Sequence, residues 1–213
     1  RGARALNFFG HAMVASWADP SPEHVLGSML PDFEAMTGVP VIEVCNPSIE
    51  TGMATHHRTD EAFHRTRSFL ALSGWALSTL SGAGVRRGTA RAVAHIATEM
   101  FLDGHLVENG DRPTPYLRAL ALQTDDAVHW QDGGDAFDSL RGRLNGWGVP
   151  TDSADPPFVF VRLRDALGRR PNLAIQQTDA VRVARCLPEL QRRVRQQALE
   201  LLDELQDALG FGS

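Results

Sequence analysis

Apolar residues recur along most of the chain at the three- and four-residue spacing of amphipathic helices, and no convincing alternating strand pattern is present. This periodicity predicts helices over about 53–71, 90–107 and 179–209, and one or two more over 115–147. Another helix is expected to begin at Pro22 after a capping Ser21, and Pro31 is expected to break or kink it. Residues 39–48 are predicted to form a loop. The fold class is therefore all-α, an irregular helical bundle.

The length of 213 residues is enough for one domain with a substantial core. We predict a single domain over residues 6–213, preceded by an N-terminal extension or expression remnant at residues 1–5. No apolar run reaches the roughly 18–20 residues that span a bilayer, and no secretion signal opens the chain. The two cysteines, Cys45 and Cys186, lack the spacing of a thiolate zinc site. A cytoplasmic location without a membrane span is expected.

The net charge of −5 argues against nucleic acid as a partner, since such binding usually needs a basic excess. All 21 basic residues are arginine. Codon usage in a GC-rich genome explains this bias, and we favour that explanation. The bidentate contact that arginine makes with phosphate would also explain it. Composition does not separate the two.

The segment GMATHHRTDEAFH, residues 52–64, concentrates side chains that bind metals. His56, Asp60 and His64 are four residues apart, so on a helix all three would share one face. Such a face is either a solvated stripe among arginines or half of a site.

The segment RAVAHIATEMFLDGHLV, residues 91–107, repeats the spacing with His95, Glu99 and Asp103. Both carboxylates fall within the apolar face of the predicted helix, between Leu106 and Met100. A buried carboxylate without a partner costs several kcal/mol, and no arginine lies on that face. A metal ion would satisfy both carboxylates. The alternative is that the face is half buried and the acids are hydrated.

Two further residues join these segments as candidates. His11 lies in a nearly apolar stretch, where a histidine is more often a core residue than a ligand. Asp32 follows Pro31 at the expected helix boundary and could cap the next turn.

Mixed imidazole and carboxylate ligands suit Mn²⁺, Fe²⁺, Mg²⁺ or Zn²⁺. Such a site favours metal-assisted phosphoester hydrolysis, and no nucleophile elbow, P-loop or dinucleotide fingerprint is present.

Five short motifs follow one another in a distinctive order: NFFGHAMVA, LGSMLPDF, GMATHHRTDEAFH, IATEMFLDGHL and LGRRPNL, the last before a long helix. Together they resemble the acyl carrier protein phosphodiesterase (ACP hydrolase) family, a divergent all-α branch of the HD-type metal phosphohydrolases. The resemblance runs from Asn7 to about Leu202. Glu99 departs from it, standing where the family tends to have aspartate.

The resemblance implies hydrolysis, by a metal-bound hydroxide, of the phosphodiester that joins 4′-phosphopantetheine to a serine of holo-acyl carrier protein, a reaction tied to fatty acid biosynthesis. It implies Mn²⁺ first among the possible metals. It implies metal ligands at His11, Asp32, His56, Asp60 and Asp103. It further implies catalytic roles for Asp60, Glu99 and Arg58, and phosphate contacts by Arg169 and Arg170.

Two alternatives remain open at this point. The same site could act on another phosphoester, such as a nucleotide or a lipid head group. The chain could also be a non-catalytic helical module that has lost its metal. The roles of the other histidines are undetermined: His57, His64, His95 and His105.

Overall fold

The computed structural model describes residues 7–109, 113–124 and 126–211. These ranges contain nine α-helices and one two-stranded sheet, so the all-α prediction is confirmed, while the HD type of the bundle stays a prediction. The helices are α1 (Phe8–Ala18), α2 (Pro22–Thr37), α3 (Pro47–Phe63), α4 (Arg67–Gly82), α5 (Arg87–Asn109), α6 (Thr114–Ala121), α7 (Asp135–Trp147), α8 (Pro156–Gly168) and α9 (Gln177–Leu209). The strands are β1 (Val41–Val44) and β2 (Val128–Trp130), and a short 3-10 helix covers Thr151–Ala154.

The described residues divide into two compact units. The first unit comprises residues 7–61 and 113–150, and the second comprises 62–109 and 151–211. Neither unit is continuous in sequence. The single-domain prediction stays a prediction, and the predicted extension at residues 1–5 lies outside the described residues. Within the described ranges, no helix is both long enough and apolar enough to cross a membrane.

In the first unit, α2 packs against α1, α6 and α7 around buried aromatic rings. Two glycines also bring α2 and α3 into backbone contact. A Cβ on Gly27 would lie 2.1 Å from the carbonyl oxygen of Ile49, and one on Gly52 would lie 2.1 Å from that of His24. Any side chain at either position would push the helices apart. Because the two helices approach so closely, His56 on α3 can reach the backbone of Ser28 on α2.

In the second unit, α5 packs against α4, α8, α9 and the 3-10 helix. The long helix α9 buries one stripe of aliphatic residues at helical spacing: Val183, Leu187, Leu190, Val194, Ala198, Leu201, Leu205 and Leu209. At its first turn the buried carboxylate of Asp179 accepts a 2.8 Å hydrogen bond from Nε of Arg86, and the same guanidinium also donates to the carbonyl of Ala174.

Three expectations about local structure were wrong: a helix break at Pro31, a single helix over 53–71 and a loop over 39–48. Helix α2 runs through Pro31 to Thr37, so no break occurs there and Asp32 lies inside the helix. A proline removes one backbone donor, and buried packing on both sides of it keeps this helix continuous. The predicted 53–71 helix is two helices, because the hydroxyl of Thr66 accepts from the amide of Phe69 and caps α4. The predicted loop 39–48 contains β1, whose four residues are too few to show a reliable alternation.

Candidate metal centres

Two imidazoles and a carboxylate meet between α1 and α3 in the first unit, and we call them the α1–α3 group. His11 comes from α1, and His56 and Asp60 lie one turn apart on α3. Nε2 of His11 lies 3.1 Å from Oδ1 of Asp60, and Nε2 of His56 lies 3.8 Å from Oδ2. The two rings stack with their centroids 3.7 Å apart. All three ligand atoms lie within 4.8 Å of one another, a spacing that a single ion can bridge.

The protonation of His56 follows from its other nitrogen. Nδ1 lies 2.8 Å from the carbonyl oxygen of Ser28, and a carbonyl only accepts, so Nδ1 carries the proton. Burial, reinforced by the neighbouring His11 ring, lowers the pKa of His56 to about 3, so the ring is neutral at physiological pH. Nε2 therefore directs a lone pair towards the Asp60 carboxylate, another acceptor.

A cation between Nε2 of His56 and Asp60 would resolve this opposition of two acceptors. A ring whose far nitrogen donates to a backbone carbonyl is the usual arrangement of a metal-ligating histidine. A proton on His11 would satisfy the His11–Asp60 contact alone, but it would not reach Nε2 of His56. The donor set thus fits a divalent ion of the Mn²⁺, Fe²⁺ or Zn²⁺ kind.

The remaining first-unit candidates lie around this group without joining it. Asp32 is buried on α2, one helical turn after Ser28, whose carbonyl holds His56. Arg58 is exposed and stands two residues from both His56 and Asp60, about 200° around the axis of α3. The helix therefore carries Arg58 on the face opposite to the ligands.

A second set, the α5 group, lies in the second unit. It consists of His64, His95 and Glu99, whose ligand atoms also lie within 4.8 Å of one another. Nε2 of His95 is 2.9 Å from Oε1 of Glu99, and the two imidazoles stack with centroids 4.8 Å apart. The ring of Phe69 meets both imidazoles edge-on.

The structure confirms that the two acids of α5 enter the apolar interior. Glu99 is 3% exposed and Asp103, one turn later, is fully buried. The prediction that His64 shares a helix face with His56 and Asp60 was wrong. Since α3 ends at Phe63, His64 falls in the following turn and contributes to the α5 group instead.

Of the five predicted metal ligands, the structure brings three into one group: His11, His56 and Asp60. Asp32 is buried nearby on α2, and Asp103 belongs to the other unit, as does Glu99. Arg169 and Arg170 are exposed at the C-terminal end of α8. Their positive charge also interacts favourably with the negative end of the helix dipole. Their predicted phosphate contacts stay predictions.

Sequence reasoning missed a third group on the sheet. Glu43, Cys45 and His129 place a carboxylate, a thiol and an imidazole within 4.8 Å of one another. Glu43 and Cys45 stand two residues apart in VIEVC, a spacing that would have marked one face of a strand. The prolines at positions 40 and 47 favour a loop over this segment and so obscure the strand signal.

The α1–α3 group could hold a metal ion, and its imidazole and carboxylate donors suit a divalent one. Compared with protein-family models, curated proteins and solved structures, the chain matches none of them.

Proposed function

We propose that this protein is a metal-dependent phosphodiesterase that hydrolyses the 4′-phosphopantetheine–serine phosphodiester of holo-acyl carrier protein. The observation that carries the proposal is the orientation of His56, whose Nδ1–H donates to the carbonyl of Ser28 while its Nε2 lone pair faces Asp60. The order of the five sequence motifs suggests the substrate. The first argument concerns the metal and the second concerns the carrier protein, so the two can fail separately.

In this proposal His11, His56 and Asp60 hold the ion, and the carbonyl of Ser28 keeps His56 in the ligating tautomer. A divalent ion bound there would polarise a phosphoryl oxygen and lower the pKa of water. The side chain of Asp60 is 24% exposed, whereas both histidines are 1% exposed. Substrate and water therefore approach from the Asp60 side.

Other roles come from the resemblance alone and need their own tests. These are metal ligation by Asp32 and Asp103, acid–base or ligand chemistry by Glu99, and phosphate neutralisation by Arg58, Arg169 and Arg170. An arginine that contacts the substrate should change KM for the carrier protein when replaced by glutamine, without releasing metal. Asp103→Ala should abolish activity if Asp103 is a ligand.

The decisive experiment measures the intact mass of holo-acyl carrier protein after incubation with the protein and Mn²⁺. We expect the carrier to lose the mass of phosphopantetheine, and we expect a chelator to prevent this. Asp60→Asn keeps the size of the side chain but removes its charge, so it should abolish both tight Mn²⁺ binding and cleavage. His57→Gln, at an exposed neighbour of His56, is the matched control and should leave both unchanged.

Each alternative corresponds to a different result. Mn²⁺ bound at His11, His56 and Asp60 without any loss of carrier mass would reject the carrier protein as substrate, and nucleotides and lipid head-group phosphodiesters would be assayed next. Wild-type protein that neither binds nor is stabilised by Mn²⁺ would indicate a non-catalytic helical module. Full activity in Asp60→Asn would refute the site assignment.

A further inference from the structure

We propose that Glu43, Cys45 and His129 form a separate binding site for a thiophilic divalent ion of the Zn²⁺ class on the sheet of the first unit. Cys45 lies directly after β1, and its amide donates to the carbonyl of Ala127 at 2.9 Å, which extends the pairing of the two strands by one residue. The three ligand atoms lie within 4.8 Å of one another.

A β-bulge brings these side chains to one face. Val41 pairs with Trp130 and Val44 pairs with Val128, although regular alternation would put residues three apart on opposite faces. The register irregularity between Val41 and Glu43 absorbs the extra residue. Both valines can therefore stand opposite the buried side chains of β2.

The same bulge turns Glu43 outward. Glu43 pairs directly with His129, whose neighbours Val128 and Trp130 are buried, so this pair lies on the outer face of the sheet. Cys45 follows Glu43 by two residues and lies on that same face. Paired side chains on one face of an antiparallel ladder are close enough for a common ligand.

The donor chemistry separates this site from the α1–α3 group. A thiolate, an imidazole and a carboxylate together are typical zinc ligands, whereas a set without sulfur does not favour soft ions. On binding, the thiol of Cys45 loses its proton to solvent and its sulfur bonds to the metal. Glu43 and Cys45 are exposed, which leaves room for water as a further ligand.

The test uses Cd²⁺ as a probe of the full chain, kept reduced by a phosphine. Cd²⁺ bonded to a thiolate absorbs in the ultraviolet, and the chain contains only two cysteines, so the signal can arise only at Cys45 or Cys186. We expect one equivalent to produce the band in wild type and in Cys186→Ser, but not in Cys45→Ser. Zn²⁺ should compete with Cd²⁺ and remove the band.

The two other ligands provide the sharper comparison. Glu43→Gln and His129→Gln should each weaken Cd²⁺ binding by at least about tenfold, because each removes one bond to the ion. The proposal is overturned if wild type shows no band, if the band follows Cys186, or if both glutamine variants bind as tightly as wild type. Circular dichroism confirms folding; Cys45 is exposed, and serine there should not disturb the core.

Discussion

Replacing His56 should remove a specific part of the pH dependence of stability. The pKa of this ring falls from 6.5 to about 3 on folding, chiefly through burial. The unfolded chain therefore takes up a proton at His56 as the pH drops below 6.5, while the folded chain does not. Between these two values the unfolded state binds more protons, so the free energy of unfolding decreases as the pH falls.

The size of the effect follows from about 1.4 kcal/mol for each pH unit within that window. Lowering the pH from 6.5 to 5 should cost the metal-free protein about 2 kcal/mol through His56 alone. The assay is urea unfolding in the presence of a chelator at pH 7 and at pH 5. Two other histidines, His24 and His105, also have lowered pKa values, again chiefly through burial, so the wild type carries a further loss with the same sign.

The variant His56→Asn isolates the effect. Its amide nitrogen takes the place of Nδ1 and can still donate to Ser28, but the side chain does not titrate. We expect the stability lost between pH 7 and pH 5 to be about 2 kcal/mol smaller than in wild type. His57→Asn is the control and should behave as wild type. Equal losses in His56→Asn and wild type would refute the argument that burial lowers the pKa of His56.

Three further predictions concern packing and binding. Gly27→Ala should destabilise the protein by about 3 kcal/mol in urea unfolding, because its Cβ would overlap the backbone of Ile49. The control is Gly74→Ala on the exposed face of α4, which should stabilise the protein by about 0.5–1 kcal/mol, since alanine favours the helix and its Cβ meets nothing there. Arg86→Ala should cost about 3 kcal/mol, since the carboxylate of Asp179 would stay buried without its cation, and an unchanged midpoint would contradict this. Mn²⁺ at one hundred times its Kd should raise the free energy of unfolding by about 2.7 kcal/mol, and a chelator should reverse the gain in the same assay.

Helices with strong periodicity could be predicted because their signal is local. The helix expected over 179–209 is observed as α9, Gln177–Leu209, since every turn contributes an aliphatic residue to one stripe. The strands could not be predicted in this way. The four residues of β1 are stabilised by pairing with β2, which follows four helices later in the chain. Pairing between segments so far apart in sequence produces little local pattern in either one.

The candidate site was predictable to a similar extent. The four-residue spacing of His56 and Asp60 is a local signal, and α3 does place them on one face. The assignment of His64 to the same face failed because the cap at Thr66 ends one helix and begins another. His11 could not be assigned to a site from its sequence surroundings, since a histidine in an apolar helix is more often a core residue than a ligand. Only the folded chain puts its ring against His56.

The α1–α3 and α5 groups share one construction, an imidazole and a carboxylate one turn apart joined by an imidazole from another element, yet their proton arrangements differ. In the α5 group Nε2 of His95 is 2.9 Å from Glu99, so one proton between them satisfies both and offsets the burial of the carboxylate. In the α1–α3 group the proton of His56 is already committed to Ser28, and Nε2 stands 3.8 Å from Asp60. A proton resolves the first arrangement, whereas in the second a proton on His11 would still leave Nε2 of His56 facing the carboxylate, an opposition that a bound cation would resolve. For this reason we assign the proposed metal to the α1–α3 group rather than to the α5 group.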